Sequence, residues 1–324
     1  MNFDNRESND TYDISQTIFG VRLTPTIGCG FADSVGGYHK FMAGATYIQP
    51  FGSKWRDAKV MPTVYYRFDI KGFQMHVGFV PYMALLDPLP DYLRNDSLAF
   101  VYPNIQGALF QYQSKWGRAE LFCDWRGMMS KDTREAFRIV GGGRFNYQWF
   151  YTGGWIQMNH LSHSDSIMGV CDDVVFNPLI GANLSSYTPL DSLSLQTGYI
   201  CGWQRDRVAQ ISHWQHGFHA SLYLGWRFIG LRNELYVGQN QMPLYKHYGT
   251  LLNQGDPHYQ ASLYNRTDIF FYLVRRSFVT CYAGWSLLVT DNGVLSHQPQ
   301  LCCRFNLDGL KDKQKKQIRT LSWR

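Results

Sequence analysis

Residues 19–31, FGVRLTPTIGCGF, alternate between apolar side chains and side chains that are polar or very small. The apolar positions are Phe19, Val21, Leu23, Pro25, Ile27, Cys29 and Phe31. Alternation with a period of two predicts a β-strand with one apolar and one polar face. About fifteen segments of this kind follow one another between Gln16 and Leu307, so the chain is predicted to be all-β.

The composition indicates what the two faces meet. Aromatic residues make up 16% of the 324 residues and glycine numbers 30, while charged residues make up only 17%. This balance suits strands with an apolar exterior and a wet interior. No apolar run approaches the roughly 20 residues that a membrane helix needs. A transmembrane β-barrel is therefore favoured over a soluble sandwich.

Short and long connections alternate along the chain. Tight turns are predicted at residues 71–72, 114–117, 146–149, 189–192, 230 and 275–277, and long loops at residues 83–104, 161–175, 204–216 and 241–264. Outer-membrane barrels place their turns on the periplasmic side and their loops outside. A β-sandwich has no reason to sort its connections in this way. The pattern predicts an antiparallel up-and-down barrel in the bacterial outer membrane.

The same alternation requires one more strand at the amino end. If the strand from Gln16 were the first, every long loop would lie on the periplasmic side. An upstream strand repairs this, with residues 1–6 as its tail and residues 7–15 as its outer loop. The first residues also lack the apolar core of a signal peptide. We therefore expect about 16 strands in the complete protein, with 14 as the alternative. The first strand is expected to be truncated in this sequence. The barrel would then either have a gap beside the strand from Gln16 or close with fifteen strands.

The chain is predicted to form one barrel domain over residues 1–310, followed by a basic periplasmic tail over residues 311–324. No linker or charge block divides the strand rhythm, and part of the formal net charge of +6 lies in the tail. Only Trp323 offers a stacking ring there, so the tail is interpreted as a solvated end, and no nucleic-acid partner is predicted.

Three stretches carry a resemblance to a known group of proteins. They are DPLPDYLRNDSLAFVYPNIQGALFQYQSKWGRAELFCDWRG (residues 87–127), TPLDSLSLQTG (residues 188–198) and LRNELYVGQNQMPLYKHYGTLLNQGDPHYQASLYNRTDIFFYLV (residues 231–274). The chain resembles porin-like outer-membrane β-barrel proteins of the Bacteroides type. The resemblance implies a barrel surrounded by outer-membrane lipid and lipopolysaccharide, and it supplies no catalytic residues.

The polar face of the predicted strands carries more arginine than acid. The residues predicted to line the lumen are Arg22, Arg67, Asp69, Glu120, Asp124, Arg126, Arg138, Arg144, Arg227, Arg232, Glu234 and Arg304. A basic lumen attracts anionic solutes, so the predicted function is a porin-like channel for passive or weakly selective passage of small, preferably anionic solutes. In the alternative, these charges pair across strands and brace the wall. Residues 83–104 either fold inward and narrow the pore or form a surface loop.

Two other function classes stay open. A surface-exposed barrel that binds glycans or a partner lipoprotein is favoured by aromatic residues in the predicted loops. They are Tyr92, Phe100, Tyr102, Trp214, Tyr245, Tyr248, Tyr259 and Tyr264. A lipid-modifying enzyme is the third class, because one cluster supplies nucleophile, base and carboxylate types. That cluster is Asn159, His160, Ser162, His163, Ser164 and Asp165.

The sequence nevertheless predicts no catalytic residues and no enzyme, because His163 and Asp165 are interpreted as the start of a polar loop. Asp172-Asp173 and residues 253–257 contain carboxylates of the kind that bind calcium. The Asp256-Pro257 step is nevertheless more typical of a turn, so no calcium site is predicted there. No metal or cofactor is predicted. The seven cysteines include no CxxC spacing, and they are interpreted as small apolar residues. The oligomeric state is left open.

Overall fold

The computed structural model describes residues 1–7, 12 and 15–306, which form one antiparallel sheet closed into a barrel. Its strand segments are β1 (Asn2–Arg6), β2 (Gln16–Leu23), β3 (Thr26–Ala32), β4 (Tyr38–Pro50), β5 (Lys59–Pro62), β6 (Tyr65–Ile70), β7 (Phe73–Pro81), β8 (Asn104–Ser114), β9 (Gly117–Gly127), β10 (Ala136–Tyr147), β11 (Phe150–Leu161), β12 (Cys171–Asn183), β13 (Ser192–Asp206), β14 (Ile211–Trp226), β15 (Ile229–Gly238), β16 (Leu263–Arg275), β17 (Val279–Thr290) and β18 (Leu295–Phe305). The predicted basic tail lies outside the described residues.

The eighteen segments make sixteen barrel strands. β2 and β3 both pair with β4, and so do β5 and β6, so each of these pairs is one strand with a short interruption. Pro25 lies in the first gap and Pro62 immediately before the second. Proline has no backbone N–H and cannot donate to the sheet ladder, which fits the break at Pro25. The predicted closed antiparallel barrel of about 16 strands is confirmed.

The short strand β1 closes the barrel. Phe3 lies opposite Phe19 on β2 and opposite Leu301 on β18, and the Phe3 and Phe19 rings meet edge to face with centroids 5.3 Å apart. The expectation of a gap or of a fifteen-strand closure is therefore wrong, because residues 2–6 themselves supply the first strand. With both of its neighbours paired, no sheet edge is left open among the described strands.

The two ends of the barrel differ as predicted. One end, the turn rim, carries connections at residues 33–37, 71–72, 115–116, 148–149, 184–191, 227–228 and 276–278. The other end, the loop rim, carries residues 51–58, 82–103, 128–135, 162–170, 207–210, 239–262 and 291–294. The predicted long loop at 204–216 is wrong. Its residues extend β13 and β14, and the turn is tightened by Asp206, whose carboxylate accepts the N–H groups of Val208 and Ala209.

Inward and outward side chains follow the predicted alternation. On β14, Phe218 faces outward with 46% of its surface exposed, while its neighbour His219 is buried inside. The same contrast separates Phe305, which is exposed, from Gln298, which bonds Asp4 in the interior. The apolar exterior is the surface that outer-membrane barrels present to lipid.

This register predicts unequal effects of one substitution at two adjacent positions. Leu222→Arg puts a charge on the outward face of β14, where an arginine costs about 2–4 kcal/mol at the bilayer midplane. Ser221→Arg points into the wet interior and should cost less. The folded fraction, read from the heat-dependent shift of the barrel on gel electrophoresis, should fall sharply only for Leu222→Arg. Equal losses would contradict the register.

Two loop-rim connections fold back into the barrel. Residues 82–103, here called the inner segment, contain helix α1 (Asp96–Val101), and residues 239–262 contain helix α2 (Tyr245–Tyr248). Short 3-10 turns complete the helical structure at Trp55–Asp57, Tyr82–Ala84, Ser185–Tyr187, Gly249–Leu251 and Pro257–Gln260. Among the described residues, no helix has both the length and the apolar character that a membrane span requires.

The inner segment crosses the interior. The Leu93 carbonyl accepts from Arg138 on β10 (3.1 Å), the Tyr92 hydroxyl donates to Asn177 on β12 (2.8 Å), and the Leu86 N–H donates to Glu120 on β9 (2.8 Å). The hydrophobic core of the protein is built around it inside the barrel, with Leu93 fully buried. Of the two paths left open for residues 83–104, the inward one is observed.

Candidate active site

Six of the twelve residues predicted to line the lumen form ion pairs with one another inside the barrel. Arg67 pairs with Asp69 (2.6 Å between nitrogen and oxygen), and Arg138 lies 3.5 Å from Asp124. Arg232 pairs with Glu234 on its own strand. The Glu120 carboxylate instead accepts backbone N–H groups from the inner segment. These contacts brace the wall and hold the inner segment.

The remaining predicted lumen residues divide into four inward arginines and one that lies elsewhere. Arg22 donates to the Ala99 carbonyl (3.0 Å), and Arg126 donates to the Thr250 carbonyl (3.4 Å). Arg144 lies over the Tyr151 ring. Arg304 lies on the same inward face of β18 as Gln298. Arg227 does not reach the lumen. It occupies the turn after β14 with a φ of 53°, and its guanidinium lies over the outward Trp226. The prediction for Arg227 is wrong because the alternation stops with the strand, one residue earlier.

The sequence reasoning missed the acidic partners at the centre of the barrel. Asp91 of the inner segment is fully buried, 2.7 Å from Arg232 and 3.6 Å from Arg266. Arg266 also pairs with Asp96 (2.9 Å) and Asp268 (2.7 Å). The alternation of residues 264, 266 and 268 could have identified Arg266 and Asp268 as inward. Nothing local could have placed Asp91.

Three of the aromatic loop residues are inside the barrel rather than on the surface. Tyr92, Tyr259 and Tyr264 are buried and their rings pack against one another. They offer no exposed platform on which a glycan could stack.

The outer surface of the barrel carries a distinct row of side chains just below the loop rim. In this rim row, neighbours lie directly opposite one another on successive strands from β9 to β13. Its members are Trp125, Phe137, His160, Asp172 and Arg205. His160 is the last residue but one of β11, and Asp172 is the second residue of β12. The hairpin therefore brings an imidazole beside a carboxylate on the outside of the barrel.

His160 is held by Asp172 in the geometry of a general base. Its Nδ1 lies 2.8 Å from Asp172 Oδ1, and Arg207 Nε donates to Asp172 Oδ2 over 2.8 Å. A carboxylate can only accept at this distance, so Nδ1 carries the proton and Nε2 keeps a lone pair in the neutral ring. The side chains of His160, Asp172 and Arg207 are 20%, 7% and 54% exposed. The buried carboxylate orients a ring that solvent can reach.

The surroundings of His160 are amphipathic. The Phe137 ring packs against the imidazole with centroids 5.0 Å apart, and Trp125 stacks on Phe137 at 5.1 Å. The next outward row, farther from the rim, is almost wholly apolar and consists of Cys123, Ile139, Met158, Val174, Trp203 and Trp214. Aromatic rings at this level are typical of the headgroup boundary in outer-membrane barrels. His160 thus lies where an apolar surface ends and a polar rim begins.

This arrangement can catalyse hydrolysis. Nε2 of His160 can remove a proton from a water molecule, as a positioned histidine does in general base catalysis. The guanidinium of Arg207 uses Nε and one amino nitrogen on Asp172, which leaves further N–H donors for a negatively charged oxygen.

The histidine- and serine-rich cluster at residues 159–165 is divided among several places. Asn159 faces inward and bonds Asp173 (2.9 Å). Ser162 Oγ lies 3.1 Å from the Nδ1 of its own neighbour His163, in the loop beyond the strand. The backbone N–H of Asp165 donates to the Ser130 carbonyl (3.3 Å), and the carboxylate that holds His160 is that of Asp172 instead. The signal that could have found the true partner is register, since residues 160 and 172 lie at matching distances from the ends of one hairpin.

The residues that suggested calcium also separate. Asp172 lies on the outside of the barrel beside His160, whereas Asp173 lies inside beside Asn159. The Asp256 carboxylate lies 2.6 Å from the His258 ring in the loop of residues 239–262. Within residues 1–7, 12 and 15–306, no three metal-binding side chains form a group suited to a metal ion.

Known proteins resemble the chain at two levels. A family model described as "Lipid A 3'-O-deacylase-type" matches residues 1–307. Among solved structures, the anion-selective porin from Comamonas acidovorans is similar with a TM-score of 0.57 at 8% identity, covering 94% of this chain and 96% of that one. A mutant of the Rh. blastica porin gives a TM-score of 0.50 at 9% identity over the same shares. No curated protein sequence matches the chain.

These comparisons support the fold and correct one prediction. Identities this low establish a porin-like barrel fold and nothing about activity, and such folds are typical of the bacterial outer membrane. The matching sequence family is one of enzymes. The prediction that the protein is not an enzyme is therefore wrong.

Proposed function

This chain belongs to the lipid A 3'-O-deacylase-type family, and from that premise we propose that it is an outer-membrane esterase that hydrolyses an ester-linked acyl chain of lipid A. The observation that carries the proposal is the His160–Asp172 pair on the outside of the barrel, next to the loop rim and directly beside an apolar surface. In an outer membrane, the loop rim faces outward. His160 would then lie at the level where the acyl chains of lipopolysaccharide join their sugars.

The chain's own residues supply each step of the hydrolysis. His160 Nε2 takes a proton from water, and the oxygen of that water attacks the ester carbonyl. Arg207 stabilises the negative charge that develops on the carbonyl oxygen. The protonated imidazole, held by Asp172, then returns the proton to the departing sugar oxygen. The products are a fatty acid and a lipid A hydroxyl.

The test is an assay of the purified, folded protein in detergent micelles with lipid A. Mass spectrometry should show lipid A that has lost one ester-linked acyl chain, together with the released fatty acid. Amide-linked chains should stay in place or react far more slowly, because an amide carbonyl is a weaker electrophile than an ester carbonyl and an amine is a poorer leaving group than a sugar oxygen. Unchanged lipid A after prolonged incubation with folded protein would reject the proposal.

Passage of small anions is the second candidate function, and the inward arginines favour it. Arg22, Arg126, Arg144 and Arg304 have no ion pair with a carboxylate among the described residues within 4.0 Å, so their charges are available to anionic solutes. The inner segment crosses this interior, so conduction requires that segment to move. The four arginines without carboxylate partners would then attract anions.

Anion passage predicts a salt-dependent selectivity. In a salt gradient the reversal potential should show chloride passing more readily than potassium, and the preference should weaken as the Debye length falls from about 10 Å at 0.1 M to about 3 Å at 1 M. Arg304→Gln should reduce the preference, whereas Arg227→Gln, outside the lumen, serves as the control. Cation selectivity, or equal effects of the two variants, would contradict this function.

A further inference from the structure

A cavity of about 230 Å³ lies on the opposite side of the inner segment from the loop rim. Residues 87–90 of the inner segment form one wall, and residues of strands β9 to β15 form the others. Arg144, Tyr151, Ser194 and Tyr223 all lie within four residues of the turn-rim end of their strands. This turn-side cavity shares no residue with the rim row, so it is separate from the candidate active site.

The charges around the turn-side cavity leave one cation without an acid. Arg118 pairs with Asp87, and Arg232 pairs with Glu234 and Asp91. Arg144 forms no ion pair within 4.0 Å in the described part of the chain. Its Nε donates to Asn146 Oδ1 (2.8 Å) and its guanidinium lies 3.5 Å from the centre of the Tyr151 ring. The amino groups of Arg144 are thus available to a single carboxylate.

The other lining groups suit a polyhydroxylated ring. Gln196, Ser221 and Tyr223 supply amide and hydroxyl groups, and each is only half-buried. Trp155 adds an apolar face, and its position is fixed because it covers Gly142, where an added Cβ would meet the indole at 2.4 Å. Sugars are bound by this combination, since their C–H faces pack on aromatic rings while their hydroxyls form hydrogen bonds.

One buried polar atom of the lining also lacks a hydrogen-bond partner in the described part of the chain. His219 is 2% exposed, and its Nε2 lies 3.7 Å from Glu234 Oε2, too far for a hydrogen bond. Buried polar groups are nearly always hydrogen-bonded in native proteins. A ligand hydroxyl, or a water molecule that it displaces, would satisfy this atom.

We propose that the turn-side cavity binds a small sugar acid, with the carboxylate on Arg144 and the ring against Trp155. A single unpaired arginine favours one negative charge over the two of a phosphate monoester. A simple aliphatic acid would leave the amide and hydroxyl lining unused. Because the cavity lies toward the short turns, the ligand would enter from the periplasmic side of an outer membrane. This proposal does not depend on the esterase function.

The test is isothermal titration calorimetry of the full chain, folded in detergent, with glucuronate as the probe. Glucuronate should bind more tightly than glucose, which lacks the carboxylate, and than acetate, which lacks the ring. Arg144→Gln should weaken glucuronate binding by about 10- to 100-fold, the worth of one charge-assisted hydrogen-bonded contact. Arg227→Gln, also near the turn rim but outside the cavity, should leave it unchanged.

Further variants keep the result interpretable. Arg144→Lys retains the charge and should restore part of the affinity, and the heat-dependent gel shift shows whether each variant is folded. Trp155→Ala should weaken glucuronate and glucose alike. Equal binding of glucuronate and acetate would overturn the sugar assignment. No binding of glucuronate, or binding unaffected by Arg144→Gln, would overturn the site. Loss of lipid A hydrolysis is not expected for Arg144→Gln, so failure here is distinguishable from failure of the esterase proposal.

Discussion

His160→Ala is expected to slow the hydrolysis of lipid A by about 10²- to 10⁴-fold, the usual worth of a general base. The barrel should fold normally, because His160 lies at the surface of its strand end with only one ring face packed. The rate is measured by mass spectrometry as the fatty acid released per unit time. His216→Ala is the matched control, since His216 is also an outward histidine on the barrel exterior but stacks on Tyr199 and has no carboxylate partner among the described residues.

Two more variants separate the His160–Asp172 pair from the rival pair in the neighbouring loop. Asp172→Asn removes the acceptor that fixes the Nδ1–H tautomer, so it should also slow hydrolysis strongly. Ser162→Ala should leave the rate nearly unchanged, because water and not a serine is the proposed nucleophile. Full activity of His160→Ala combined with an inactive Ser162→Ala would transfer the chemistry to Ser162 and His163, whose side chains lie 3.1 Å apart.

Asp91→Ala is expected to destabilise the folded barrel by about 1–3 kcal/mol, because two buried arginines lose one of the carboxylates that they share. Asp91 is fully buried between Arg232 and Arg266. The temperature of the gel shift from folded to unfolded barrel should fall clearly. The same variant should raise conductance in planar bilayers, because Asp91 anchors the inner segment that crosses the lumen.

An exposed carboxylate provides the comparison for Asp91. Glu7 lies 3.5 Å from His297, and their side chains are 61% and 41% exposed. Solvent-exposed ion pairs contribute about 0–1 kcal/mol, so Glu7→Gln should change the transition temperature little. If Asp91→Ala unfolds no more easily than Glu7→Gln, the inner segment is held by its apolar contacts and the ion pairs contribute little.

The barrel itself could be predicted from the sequence in some detail. Alternation is a local property, since successive side chains of a strand must point to opposite faces. It correctly predicts Phe218 outward and Glu234 inward, and the alternation of short and long connections predicts the sixteen strands. The errors lie where local signals end. Alternation places Arg227 in the lumen although the strand stops at Trp226. The polar composition of residues 204–216 predicts a long loop, although most of these residues belong to strands β13 and β14.

The contents of the barrel and the candidate active site depended on tertiary structure. Asp91 and Arg232 are 141 positions apart in sequence, and no periodic pattern links a loop residue to a strand on the far wall. The inner segment lies inside because its apolar and charged groups find partners there simultaneously. His160 stands out by its residue type, but Asp172 becomes its partner only through strand register. The two-residue period of a strand determines whether a side chain faces the lumen or the exterior. Which side chains come into contact is determined by strand register and by burial between distant parts of the chain, and a catalytic site requires such contacts.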